Sequence, residues 1–120
     1  MEKIFNEEKH KQLQNIKAEI LRCLEEMQVS VKSIILFGSR AREDFSKYSD
    51  YDFLIITEKT FSIKEKMEIA RVLRKALAEL YIPTDIIINS EEEVEYKKNK
   101  IGSVTRYAIK EGVSIWLMNM

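Results

Sequence analysis

Four short apolar runs alternate along this chain with longer stretches of helical periodicity. Each run has the length and the β-branched content of a buried strand. The runs are Val31–Phe37, Asp50–Ile56, Thr84–Ile88 and Val113–Met118. With only three glycines and one proline to interrupt it, the chain predicts the order α-β-α-β-α-β-α-β. That order favours an α/β (α+β) fold in one domain over residues 1–120, a small mixed sheet with flanking helices mostly on one face.

Two stretches with apolar residues at three- and four-residue steps predict the long helices of this fold. The first runs from about Glu7 to Gln28. The second opens at Ser62, where Glu65 completes a capping-box pattern three residues later. The predicted core stripe of the second helix consists of Ile63, Met67, Ala70, Leu73, Leu77 and Leu80. A short helix is also expected over 39–45, directly after the first strand.

The chain between residues 90 and 112 has the pattern of further helix. Ser90 and Glu93 form a second capping box, Gly102 marks a potential break, and Gly112 fits the position after a helix. A basic cluster in this region consists of Lys97, Lys98 and Lys100. We expect a solvated helix face there, with contact to a triphosphate or a partner as the less favoured alternative.

The charge balance and the scarcity of cysteine and histidine exclude several classes of protein. Twenty basic and twenty acidic residues cancel, which argues against a dedicated nucleic-acid binder, so any anion site must be a local arrangement. A single cysteine, Cys23, excludes an internal disulfide and is expected to be an inert packed thiol. A single histidine, His10, excludes a histidine metal cluster. No segment resembles a signal peptide or a membrane span, so we expect a cytoplasmic protein without membrane contact.

Gly38 and Ser39 stand between the first predicted strand and a short helix. A strand that ends in glycine and leads into a helix leaves backbone N–H groups beside a hydroxyl, and this arrangement can hold phosphate oxygens. The pair alone is a weak signal, because most Gly-Ser pairs after strands are ordinary turns. No Walker A pattern is present.

Three aspartates lie at the starts of predicted strands. Asp50 and Asp52 alternate along the second strand and therefore point to one face, where two carboxylates can share a divalent cation such as Mg²⁺. Asp85 enters the third strand, where burial of a carboxylate is costly unless a cation or hydrogen bonds compensate. Taken singly, the Asp50/Asp52 pair and Asp85 are each better explained by a charged strand end in water.

The Gly-Ser pair and the three aspartates are more informative together than any one of them alone. If the second strand runs antiparallel to the first, Gly38 and Ser39 face Asp50 and Asp52 across one cleft. Asp85 joins them if the third strand lies beside the second with its start at the same end. A phosphate-binding loop and three carboxylates in one cleft describe a two-metal site for phosphoryl or nucleotidyl transfer.

The spacing of these groups closely resembles that of the nucleotidyltransferase superfamily of DNA polymerase β. The run LFGSRAREDFSKYSDYDFLI looks most like the minimal nucleotidyltransferases, or MNT-domain proteins, and the resemblance covers about Ser30 to Ile88. The closing SVTRYAIKEGVSIWLM resembles the end of that family's short members. The resemblance implies a polymerase-β-like nucleotidyltransferase fold and Mg²⁺-dependent attack of a hydroxyl on the α-phosphate of ATP, with pyrophosphate leaving.

The resemblance also implies roles for the three aspartates. Asp50 and Asp52 match the pair that binds both Mg²⁺ ions of the family. Asp85 matches the third carboxylate, which holds the catalytic metal ion and helps to deprotonate the attacking hydroxyl. All three acidic positions are filled, so the resemblance implies an active enzyme.

By the same resemblance, Gly38 and Ser39 match the loop that binds the nucleotide phosphates. Arg40 and Arg42 follow this loop, as basic residues often do in the family. Arg40 could reach a phosphate, whereas Arg42 is equally well explained as a solvated helix residue.

The short chain bears on the acceptor of the nucleotidyl group. After Asn89 only about thirty residues remain, too few for an independent acceptor domain, so we expect the acceptor to be docked by a partner, by a second copy of this chain, or only loosely. Short MNT proteins resemble the antitoxin of HEPN/MNT toxin–antitoxin modules, which implies transfer of AMP to a hydroxyl, expected to be a tyrosine, of a HEPN-domain ribonuclease toxin. Two alternatives stay open: a small-molecule nucleotidyltransferase, and an antitoxin that acts by binding alone.

Overall fold

The computed structural model of the chain describes residues 7–42, 44–46 and 49–118. Its helices are α1 (Glu7–Glu26), α2 (Ser39–Arg42), α3 (Ile63–Ala78), α4 (Glu91–Lys97) and α5 (Val104–Glu111). Its strands are β1 (Val31–Phe37), β2 (Tyr51–Thr57), β3 (Thr84–Ser90) and β4 (Val113–Leu117). Each predicted strand is present within two residues of its expected bounds. No helix in these ranges has the length and apolarity needed to cross a bilayer.

The four strands form one mixed sheet in the order β3-β2-β1-β4. The strand β1 pairs antiparallel with both β2 and β4, whereas β2 and β3 run parallel. The parallel pair follows from chain order, because α3 crosses over between β2 and β3 and returns the chain to the end at which β2 began. The mixed sheet predicted from the sequence is therefore confirmed.

Helices pack on both faces of this sheet, so the expectation that they mostly cover one face is wrong. The helices α1 and α3 pack on the face that carries Ile34, Phe53 and Ile86. The opposite face, with Phe37 and Leu54, packs against Ala108 of α5 and against α4. The strands β1, β2 and β3 can be apolar on both faces because their alternate residues meet one helical layer or the other, whereas β4 is largely exposed.

The core stripe predicted for α3 is only partly right. Leu73 and Leu77 are fully buried, as expected, but Ile63 and Met67 are 78% and 66% exposed. The helix lies over the edge strand β3. Within the described ranges no strand lies beyond that edge, so the outer side of α3 has no sheet to pack against. The exposed methionine lines a groove beside β3.

The helix ends follow the local sequence signals. Both capping boxes form, with Ser62 and Ser90 each accepting a hydrogen bond from the backbone N–H three residues later. Gly102, with φ of +87°, lies between α4 and α5 and confirms the predicted break. Gly112 ends α5 in an extended conformation instead of the left-handed one typical of a glycine after a helix. Glycine is needed there because a Cβ would collide with the carbonyl oxygen of Ala108.

Cys23 is buried at the stripe of α1, with 3% of its surface exposed. Burial, followed by the negative charge of Glu19, raises the pKa of its thiol. A thiol held protonated in this way is a poor nucleophile, as the sequence predicts for an inert packed cysteine.

The two capping serines differ in burial, and this difference predicts their contributions to stability. Ser90 is 1% exposed and also accepts a hydrogen bond of 2.6 Å from the Thr60 hydroxyl, whereas Ser62 is exposed. Ser90→Ala leaves the partly buried N–H of Glu93 without its partner and should cost about 2 kcal/mol, against about 1 kcal/mol or less for Ser62→Ala. Urea unfolding of both variants measures this difference. Equal losses would contradict a buried role for the Ser90 cap.

Candidate active site

The pairing of the strands brings the predicted site residues to one end of the sheet. Phe37, the last residue of β1, is the register partner of Asp52 in the antiparallel pair. Asp52 is in turn the register partner of Asp85 in the parallel pair. Gly38 follows Phe37 directly, so the end of β1 and the starts of β2 and β3 meet, as the sequence argument required.

The carboxylates of this end lie on the α4/α5 side of the sheet. Asp52 and Asp85 are side by side on neighbouring strands, and alternation places both on the face of Leu54 and Ile87. Asp50 stands one residue before β2 and is exposed. It is close enough to Asp52 for the two charges to interact.

The electrostatics of this end are dominated by uncompensated negative charge. Partial burial raises the pKa of Asp52 above its ordinary value, and the neighbouring charges of Asp85 and Asp50 raise it further. Arg42 acts in the opposite direction and lowers the pKa of the same carboxyl group. Ionisation of Asp52 is therefore less favourable here than in water, and a nearby cation would favour it.

Gly38 is the residue that the geometry of this end most requires. Its φ of +76° lies in the left-handed region, which strains any residue with a side chain. A Cβ at this position would also collide with the carboxylate of Asp52. The backbone of the loop thus lies directly against that carboxylate.

The short helix α2 begins immediately after this glycine. The carbonyl oxygen of Gly38 accepts hydrogen bonds of 3.1 Å from the N–H groups of Ala41 and Arg42. The N–H groups of Ser39 and Arg40 stand at the start of the helix, where no preceding turn offers them a carbonyl. They and the Ser39 hydroxyl are the donors that the loop presents.

Arg40 is engaged by the loop that leads to β2. Its Nε and NH2 donate to the carbonyl oxygen of Ser49 at 3.2 and 3.1 Å. Its guanidinium also lies over the rings of Phe45 and Tyr51, 4.2 and 4.4 Å from their centroids. These contacts tie Arg40 to the residue before Asp50, and contact of Arg40 with a phosphate stays a prediction.

Arg42 is closer to the carboxylates than the sequence alone could indicate. Its Nε donates to Asp44 at 3.1 Å and its NH1 to the hydroxyl of Tyr107 on α5. The Tyr107 ring packs edge-to-face on Phe37, with centroids 6.1 Å apart. Arg42 lies four residues after Gly38, about one helical turn, and this spacing is the only sequence signal that places it near the loop. Tyr107 is distant in sequence, and no sequence signal indicates that it lies at this site.

The donor set at this end fits a hard divalent cation, although the side chains do not yet enclose one. Carboxylate oxygens are the ligands that Mg²⁺ prefers, and the raised pKa of Asp52 marks charge that a cation would neutralise. Among the described residues, no three aspartates, glutamates, histidines or cysteines converge closely enough to hold a metal ion as placed. Metal binding at Asp50, Asp52 and Asp85 stays a prediction.

Comparison with known families identifies the fold that carries this arrangement. Residues 17–112 match the model of the nucleotidyltransferase domain, a span that includes β1, β2 and β3 and ends just before β4. The chain belongs to this family. A comparison with curated protein sequences finds no significant match.

Solved structures of nucleotidyltransferase-like proteins share the fold. A candidate nucleotidyltransferase from Sulfolobus solfataricus matches with a TM-score of 0.62 and 23% identity, over 92% of this chain and 85% of that one. A toxin–antitoxin structure with AMP-PNP matches with a TM-score of 0.58 and 18% identity, over 85% and 73%. The complex of tri-AMPylated Shewanella oneidensis HEPN toxin with MNT antitoxin matches with a TM-score of 0.52 and 19% identity, over 88% and 72%. The predicted nucleotidyltransferase fold is confirmed.

The raised pKa of Asp52 predicts how stability depends on pH without metal. An acid whose pKa is raised by folding contributes stability below its ordinary pKa, near 3.8, and loses it as the pH rises through the raised value. Asp52→Asn should therefore be more stable than the parent at pH 7.5 in EDTA, by about 0.5–2 kcal/mol, with little difference at pH 4. Thermal unfolding measures this, with Glu58→Gln as an exposed control. A lower midpoint at pH 7.5 would mean that the carboxylate accepts a structural hydrogen bond.

Proposed function

We propose that this nucleotidyltransferase transfers AMP from ATP, with Mg²⁺, to a hydroxyl of a HEPN-domain ribonuclease toxin, for which it serves as antitoxin. The observation that carries the chemical part of the proposal is the strand register that aligns Phe37, Asp52 and Asp85. The family match supports nucleotidyl transfer as the reaction class. The likeness to toxin–antitoxin structures, one of them with a tri-AMPylated toxin, supports the choice of acceptor.

In this proposal Asp50, Asp52 and Asp85 hold two Mg²⁺ ions. When bound, the ions would offset negative charge on the phosphate oxygens and favour loss of the proton of the attacking hydroxyl. The electrostatics of Asp52 support this assignment, because its burial beside two other carboxylates leaves negative charge that a cation relieves. Asp50 is exposed, so its carboxylate is accessible to a cation that binds beside Asp52.

The triphosphate would lie over the start of α2. The backbone of Gly38 approaches Asp52 without a side chain between them, and Ser39 offers both a hydroxyl and an N–H group. Arg42 is the cation that already acts on Asp52, so we assign it to the phosphates. Arg40, engaged with Ser49 and two aromatic rings, positions the loop of Asp50, and its predicted contact with a phosphate is kept as part of the proposal.

The reaction itself is an in-line displacement at the α-phosphorus. The acceptor oxygen forms a bond to the α-phosphorus while the bond to the bridging oxygen of the β-phosphate breaks. Pyrophosphate leaves, and the hydroxyl proton passes to Asp85, the carboxylate beside the cleft. The chain's own residues thus orient the nucleotide and accept one proton, while the partner supplies the nucleophile in position.

Metal-dependent nucleotide binding is the first test of the proposal. ATP should bind much more tightly in Mg²⁺ than in EDTA, because the carboxylates repel the triphosphate until cations bridge them. Isothermal titration calorimetry of the parent, with Glu58→Gln as a control that keeps the effect, measures both affinities. Equal affinities in the two buffers would exclude a metal-bridged nucleotide.

The second test concerns the acceptor. Incubation with a HEPN toxin encoded next to this chain, ATP and Mg²⁺ should raise the mass of the toxin by one or more AMP units. Asp52→Asn should slow this transfer at least about a hundredfold while the two proteins still form a complex. Intact-protein mass spectrometry and gel filtration give the two readouts. If Asp52→Asn neutralises the toxin as well as the parent does, the protein acts by binding alone.

A further inference from the structure

A groove of about 840 Å³ runs along the outer edge of the sheet, beside β3. Its floor is the strand segment 86–89, one wall is the outer side of α3, and Lys97 of α4 closes the other side. We call this feature the β3 groove. It lies outside the loop and the carboxylates described above, none of which line it.

The floor of the β3 groove is the outer edge of β3, where a further strand could pair with its backbone. Among residues 7–42, 44–46 and 49–118, β3 pairs with β2 alone. An edge strand directs the N–H and C=O groups of alternate residues outward, where an extended peptide can bond to them. Four consecutive residues of β3 line the groove, so the strand is reached from its edge and not from one face.

The walls of the β3 groove are both apolar and basic. Met67, 66% exposed, offers an apolar contact beside the isoleucines of β3. The charged residues that line the groove are five basic and one acidic: Lys64, Lys66, Arg71, Arg74, Lys97 and Glu68. The whole chain has equal numbers of the two signs, so this excess is a local property of the groove.

Salt bridges neutralise only part of this basic charge. Lys66 pairs with Glu93, and Arg71 pairs with Glu68. Lys97 donates to the neutral Asn89 side chain at 3.3 Å, and its charge also acts on Glu93, the partner of Lys66. The basic cluster predicted as a solvated helix face therefore contributes one of its members to a concave surface.

We propose that the β3 groove binds an acidic segment of a partner protein in extended conformation, which adds to β3 as a fifth strand. The open edge supplies backbone hydrogen bonds, alternate apolar side chains supply contacts, and the basic walls select acidic residues. Self-pairing of two copies through β3 is disfavoured, because it would bring the basic walls of both copies together.

The β3 groove leads to the candidate active site. Ile86, at one end of its floor, follows Asp85 directly. The residues 79–83 join the end of α3 to the start of β3, so Arg71 and Arg74 lie nearer to Asp85 than Lys64 does. If the proposed function is right, the bound segment belongs to the acceptor protein and brings its hydroxyl toward Asp85; the groove binds the segment in either case.

Fluorescence anisotropy with defined peptides tests the proposal on the full chain. The probe is a labelled peptide as long as β3 in which glutamate and valine alternate. It should bind saturably and more weakly as salt rises. Methylation of every second backbone nitrogen of the peptide should weaken binding at least about tenfold, because it removes the donors that pair with β3.

Charge reversal on α3 provides the matched variant. Arg71→Glu combined with Arg74→Glu should abolish binding of this peptide and create binding of its lysine–valine counterpart. Both residues are exposed, and circular dichroism checks that the variant is folded. The control reverses Lys75 and Lys110, exposed residues that do not line the groove, and should keep the parent's affinity.

Several results would overturn the proposal. They are no saturable binding, equal binding of the methylated peptide, tighter binding of a single-stranded oligonucleotide of equal charge, or a dimer that the α3 variant dissociates. The Asp52→Asn variant separates this proposal from the proposed function, since it should bind the peptide like the parent. Peptide binding without nucleotidyl transfer would support the proposed groove and contradict the proposed enzymatic function. Nucleotidyl transfer without peptide binding would support the function and contradict the groove.

Discussion

The pairing of β1 with β2 is the constraint on which the rest of the structure depends. The strand β1 is central, bonded on one side to β2 and on the other to β4, and both helical layers pack against it. Its register with β2 sets Asp52 opposite Phe37 and therefore against the glycine that follows. A slip of one residue would turn Asp52 to the other face and bury it against α1 and α3. Core packing and the placement of the carboxylates are thus fixed by the same ladder of hydrogen bonds.

Much of the fold follows from local sequence, and the reasons are visible at particular residues. The β-branched runs predicted every strand, and the two serine caps predicted where α3 and α4 begin. Hydrophobic periodicity did not predict burial correctly where burial depends on which element packs against the helix. Met67 has the spacing of a core residue, but α3 lies over an edge strand and that side of the helix has no neighbour. The distribution of helices over both faces depends likewise on tertiary packing, which no local pattern encodes.

In the candidate site, too, some features could be predicted from local sequence and others could not. The aspartates and the Gly-Ser pair could be found because their chemistry and spacing are local signals, and the register then brought them together. The sequence favoured Arg40 over Arg42 as the phosphate ligand, but no local signal gives the tertiary partners of either arginine. Three-dimensional partners separate them: Arg40 meets a carbonyl and two rings, whereas Arg42 meets Tyr107 from a distant helix and acts on Asp52.

The β3 groove and the carboxylate end together give this chain an uneven distribution of charge. Acidic residues gather at the start of β2 and β3, while basic residues line the strand edge beside them. A molecule of zero formal net charge can therefore have a substantial electric dipole moment. Such a dipole exerts a torque on an approaching charged partner, so it orients the encounter without strengthening nonspecific attraction. The dipole would orient a partner of complementary charge more than it would attract that partner from afar. Added salt would screen this orienting interaction and so slow association.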